Sequence, residues 1–171
     1  MKQPFKLLLA ALAVIALPVV AQETVEPFAV DLPDGFSDFQ SQTQKSESPE
    51  GIVETTNWVS KAQTGEAVVV TVSKMPGHIL NPDKLMQSTR DSLLSSLKAK
   101  LEEEKKIEGE TPATLLQFRS ESATPVYLQS QLIVEDDRLY QLLYVAKTPE
   151  QRSSAAVGDL FASFKVQHQA Q

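Results

Sequence analysis

No cysteine occurs anywhere in the 171 residues. That absence removes disulfide bridges, a thiol nucleophile, thiolate metal sites and the lipid-carrying N-terminal Cys of a bacterial lipoprotein. Histidine is nearly as scarce. His78 and His168 share no local motif, so a zinc site built on them would need carboxylates that only folding could bring near. There is no phosphate-cradling Gly-rich loop, no Gly-x-Ser-x-Gly elbow and no His-Glu-x-x-His pair. Basic residues are outnumbered 22 to 16. Nucleic acid and anionic lipid surfaces, both gripped through Lys and Arg, are therefore poor partners. The longest apolar stretch, Leu7 to Ala21, has fifteen residues, short of the roughly 20 that a spanning helix needs.

That stretch is informative in another way. Lys2 and Lys6 precede it, Leu7 to Leu17 runs unbroken, Pro18 interrupts, and Val19-Val20-Ala21 supplies compact residues. The pattern predicts a cleavable export signal over residues 1–21, removed after Ala21 or a neighbouring position. No Arg-Arg pair precedes the run, so the general secretory route is expected, with a periplasmic product and no stable membrane insertion. The leader holds two of the sixteen basic residues and none of the acidic ones, so the mature chain would carry a net charge of −8 over 150 residues. That length suits one domain held by a packed core.

The expected organisation is a lead-in over 22–27, one α+β domain over 28–166 and a flexible tail over 167–171. Phe28 to Leu32 alternates as a short strand, and Pro33-Asp34-Gly35 turns. Gln40 to Glu50 has no bulky apolar residue and predicts an exposed loop. Strand character resumes over Gly51 to Ser60. Val68, Val70 and Val72 then fall at period two, with Val69 and Thr71 opposed. Asn81 and Pro82 read as cap and first residue of a helix. Leu85, Met86, Thr89, Leu93, Leu94, Leu97 and Leu101 share one side of a helical wheel, which predicts a single long helix from Pro82 to about Lys105, stopping by Gly109. Glu102 and Lys106 are spaced as an i,i+4 pair. Strands over Thr114 to Ser120, Val126 to Val134 and Leu139 to Ala146 follow. A capping box at Thr148 and Gln151 opens a closing helix with Ala155, Ala156, Leu160, Phe161 and Phe164 inward.

Candidate chemistry is thin. Asp31, Asp34 and Asp38 surround Gly35 without the ligand spacing of an EF-hand. Asp136-Asp137 sits at a hairpin tip, where neighbouring carboxylates splay apart rather than converge. Trp58, Phe118, Tyr127, Tyr140 and Tyr144 fit a core at strand periodicity better than a ligand pocket. Glu102-Glu103-Glu104 reads as a solvated helix end, with partner docking as the sharper alternative. No catalytic, cofactor-binding or metal-ligating residue is assigned, and no cofactor is expected.

Four segments together resemble the PsbP-like superfamily, and within it the DcrB-like bacterial periplasmic proteins. They are Phe28 to Phe36, with its Pro-x-Gly-aromatic turn; Ile107 to Ala113; Asp136-Asp137-Arg138-Leu139-Tyr140; and Phe161-Ala162-Ser163-Phe164-Lys165. Asp137 stands where Gly is usual and Phe36 where Trp is frequent. The resemblance implies a three-layer α/β/α sandwich: a mainly antiparallel, twisted sheet of about six strands between the long helix and a C-terminal helix. It carries no shared catalytic residue, since members serve as photosystem assembly subunits, GTPase-binding adaptors, secretion chaperones and envelope proteins. The expectation is a non-enzyme that binds or helps assemble another envelope component. One alternative is a small-ligand carrier with a pocket between sheet and long helix. The other is a hydrolase whose site assembles only in three dimensions.

Overall fold

A computed structural model describes residues 26–108 and 111–167. The expected leader, most of the lead-in, Gly109 and His168 lie outside the described residues. The elements run β1 (Phe28–Ala29), β2 (Gln40–Ser48), β3 (Gly51–Lys61), β4 (Ala67–Lys74), α1 (Pro82–Ser96), β5 (Ala99–Ile107), β6 (Ala113–Ser120), β7 (Tyr127–Glu135), β8 (Arg138–Ala146), α2 (Pro149–Arg152), α3 (Ala155–Ser163) and β9 (Lys165–Val166). Seven strands form one antiparallel sheet in the order β2-β3-β4-β8-β7-β6-β5, and β1 pairs with β9 in a two-stranded ribbon.

Alternation in the central strands builds two cores. Val68, Val70, Tyr140, Leu142 and Tyr144 face one way and pack with Val157, Leu160 and Phe161 of α3. Leu116, Phe118, Leu128, Leu132, Leu139 and Leu143 face the other way and pack with Met86 and Leu93 of α1. The fold is α+β, with helices on both faces of an antiparallel sheet. Trp58 is buried, its ring 5.1 Å from that of Phe28. Phe28 in turn meets Phe39 and Phe164. This aromatic knot fastens the β1–β9 ribbon to the sheet.

Helix α1 starts as its sequence dictates. The Asn81 side chain accepts from the Lys84 amide at 3.0 Å, Pro82 opens the helix and Asp83 faces the positive end of its dipole. It does not reach Lys105. Leu97 caps it, and Lys98 takes a left-handed conformation (φ 46°), at a cost of order 1 kcal/mol for a side-chain-bearing residue. Residues 99–107 then pair along β6 as an edge strand. Pairing satisfies the outer backbone groups of β6, and that tertiary gain overrides the good intrinsic helix propensity of this Lys- and Glu-rich segment. Leu101 matched the helical phase only because it sits opposite Phe118 beneath α1.

Two further expectations are corrected. Gln40 to Ser48 is a strand, pairing with β3 over nine consecutive positions, so the sheet has seven strands and not six. The closing helix is two helices. The Thr148–Gln151 capping box forms as expected, but Ser154 caps a second start by accepting from Val157. Ala155 and Ala156 consequently lie exposed, and Val157 takes the inward place. Lys165–Val166, the last residues of the expected domain, form a ribbon with Phe28–Ala29.

Two tight places fix how loops meet the sheet. Gly51 closes the β2–β3 hairpin at φ 133°, and a Cβ there would lie 2.8 Å from Pro76. Only glycine fits on both counts. Asp136 turns the β7–β8 hairpin at φ 52°, in keeping with the tolerance of Asp for the left-handed region. The carbonyls of Asp136 and Asp137 accept from Ile79 and Met75 at 3.4 and 2.7 Å, docking the segment ahead of α1 onto that hairpin.

Candidate binding surface

Residues 99–107 carry the densest run of charge in the chain, and the change from helix to strand decides where each charge goes. A register shift between Leu101 and Glu103 puts an extra residue into β5. Such a bulge turns consecutive side chains to different sides of the strand. Glu102 reaches Arg152 of α2 (2.6 Å) and Arg119 (3.9 Å). Glu104 turns toward α1 and meets Arg90 at 2.7 Å, while Lys106 faces Asp83 at 3.6 Å. The expected Glu102–Lys106 helical pair does not exist, because both residues find partners on other elements. The hydrogen bonds that Arg90 donates to Asp91 and Glu104 raise its guanidinium above its ordinary pKa, holding it charged.

Arg152 is the buried member of this set. It donates to Glu102 and to the Phe118 carbonyl, and its guanidinium lies 5.7 Å from the Tyr127 ring centre. Its Nε has no partner. Leu160 and Arg152 thus hold the final helices by different means, one through apolar packing and the other through charge.

Between α1 and β5 lies a cleft of about 210 Å³, lined by Asp83, Met86, Gln87, Arg90, Glu104, Lys106 and Thr114. It is where a pocket between sheet and helix was expected. Its walls are ion pairs, however, and its volume is below the roughly 300–1,000 Å³ of ordinary small-molecule sites. The aromatic residues proposed as lining are elsewhere. Trp58, Tyr140 and Tyr144 are in the α3-side core, and Phe118 is under α1. Burial, with the charge of Glu66 adding to it, pushes the Tyr144 hydroxyl up to about 12; burial also raises Tyr140.

The remaining candidates stay apart. His78 is exposed in the loop before α1. Asp137 contacts Lys74 and Arg138 at 4.0 and 3.7 Å, not a second carboxylate. Asp31 uses its backbone, donating to the Ser163 hydroxyl. Among the described residues no three His, Cys, Asp or Glu side chains group as a metal site would require, and no helix is long and apolar enough to cross a membrane. Arg90, Arg152 and Asp83 were invisible as partners in the sequence, since their contacts join residues 14 to 50 positions apart or bridge separate elements.

These features define an antiparallel α+β sandwich with a charge-paired edge. No family model matches the chain, and no curated relative matches it. Among solved structures, the fold is similar to the solution structure of cyanobacterial PsbP (CyanoP) from Synechocystis sp. PCC 6803: TM-score 0.52 over 88% of this chain and 98% of that one, at 11% identity. The fold is PsbP-like.

Proposed function

We propose that this chain is an exported, non-catalytic protein of the DcrB-like kind, which works in the periplasm by binding or helping to assemble another envelope component. The observation that carries the reading is how the carboxylates are engaged. Glu102 and Glu104 of β5 each face an arginine. Acid–base catalysis asks for the reverse arrangement, ionisable groups converging on a shared cleft with shifted proton affinity. The PsbP-like fold and the leader pattern support the same reading. A small-ligand carrier using the narrow polar cleft beside Arg90 is the weaker account.

Mild crosslinking of intact envelopes at native expression, followed by recovery of the chain, tests this. A reproducible adduct with one envelope protein, and a mature N-terminus near Gln22, is the expected result. Recovery of uncrosslinked chain alone, or of chain still carrying residues 1–21, overturns it.

A further inference from the structure

The far side of the sheet from β5 ends in β2, whose outer edge pairs with no strand among the described residues. It pairs with β3 through nine positions with no shift of register, and it contains no proline. Which of its backbone groups face outward follows from the ladder. Hydrogen-bonded and non-hydrogen-bonded pairs alternate in antiparallel strands, and the two-residue turn Pro49–Glu50 makes Ser48–Gly51 a bonded pair. Ser46, Gln44 and Gln42 therefore bond inward to β3. The N–H and C=O groups of Ser41, Thr43, Lys45 and Glu47 point away from the sheet. Side-chain contacts agree. Thr43 meets Thr56 at 2.8 Å and Lys45 meets Glu54 at 2.9 Å, both at non-bonded positions, where side chains approach more closely.

Charge then says what fits this edge. Across the strands, Lys74, Glu54 and Lys45 stand in one transverse row. Over these three strands the signs alternate, although Lys74 then stands opposite Arg138 of β8, and the row ends at the β2 edge on a cation. The next place outward calls for an anion. We propose that Glu47 of a second copy takes it: two β2 strands pair antiparallel about a twofold axis through Ser46, joining two seven-stranded sheets into one. In this register the two strands overlap over Gln44–Ser48, and the outward amides and carbonyls of Lys45 and Glu47 meet those of the partner's Glu47 and Lys45. Lys45 lies opposite the partner's Glu47, and Glu47 opposite the partner's Lys45, both favourable cross-strand pairs. Centring on Lys45 would set two lysines face to face, which is destabilising. Lys45 thus works as a register selector, excluding one self-pairing while completing another. An edge-on contact belongs to the weak interface class, below about 1,200 Å², so the pair is reversible and forms at high protein concentration. It uses the edge opposite β5 and stands independently of the function proposed above.

Charge exchange tests it. Sedimentation of the purified chain over a concentration series up to millimolar is expected to show a monomer–dimer equilibrium. Lys45→Glu and Glu47→Lys should each shift that equilibrium at least tenfold toward monomer, with circular dichroism unchanged. Mixing the two variants places Glu opposite Lys at both contacts and should restore the dimer. A wild-type chain that stays monomeric throughout, a dimer untouched by either substitution, or a mixture that fails to recover would each overturn the proposal. Selective binding of an unrelated extended acidic peptide at β2, with no dimer, would overturn it in favour of a different occupant.

Discussion

The two edges of the sheet answer the same problem in opposite ways. An edge strand leaves backbone donors and acceptors without partners, and natural sheets blunt such edges by bulges, charge or cover. β5 has two of these, a register shift and a run of charged side chains, and helix α1 is tied to its inner face by Arg90 and Glu104. β2 has a straight ladder of serines and glutamines with one threonine, and two charges, Lys45 and Glu47. One edge is blunted by its bulge and its charges and offers side chains. The other is open and offers its backbone. Interaction at β5 must be read through charge and shape, interaction at β2 through strand register.

The sharpest blow to that contrast is removal of what β5 rests on. Phe118 is fully buried opposite Leu101, and Phe118→Ala should cost about 3–5 kcal/mol, read as a fall in the urea midpoint. Next comes Arg152→Met. It leaves Glu102 without its closest partner and should cost about 1–3 kcal/mol. An unchanged midpoint would mean that α2 holds by packing alone. At the open edge, neighbouring prolines should differ. Ser46→Pro removes an inward ladder donor and should cost about 1–2 kcal/mol, whereas Glu47→Pro removes an outward one and should cost far less. Equal losses would refute the assigned register.

Two smaller effects complete the series. Tyr144 is raised toward about 12 in the folded chain, against about 10 when unfolded. A raised folded value means that the stabilisation is complete below pH 10 and disappears as pH climbs through 12. Phenolate absorbance from Tyr144 should therefore rise together with loss of structure, and Tyr144→Phe should soften that alkaline decline. The smallest effect belongs to Lys106→Ala. Its pair with Asp83 is 71% and 79% exposed, and such contacts are worth about 0–1 kcal/mol. A midpoint indistinguishable from that of the parent chain is the expected result.

The same contrast explains what could be read from the chain beforehand. β4 and β8 are central and buried on both faces, so Val68-Val69-Val70 and Leu142-Leu143-Tyr144 announced themselves by alternation. β2 and β5 face water along most of their length, and no apolar period marks them. One passed for a loop because it is polar, the other for helix because Leu97 and Leu101 stayed in phase with α1. Caps were legible at Asn81, Thr148 and Gln151, since their chemistry is local. The charge pairs were not. Arg152 and Glu102 are fifty positions apart, and nothing in either neighbourhood names the other.

Strand order has a kinetic consequence. β2, β3 and β4 make one local meander, while β5, β6, β7 and β8 make another, and the two join only where Ala67–Lys74 lies along Arg138–Ala146. Every other pairing in the large sheet links strands adjacent in sequence; this seam must close a long intervening loop before any of its bonds can form. Assembly is thus expected to resemble the docking of two prebuilt halves, with side chains along Val70 and Leu142 setting the height of the barrier.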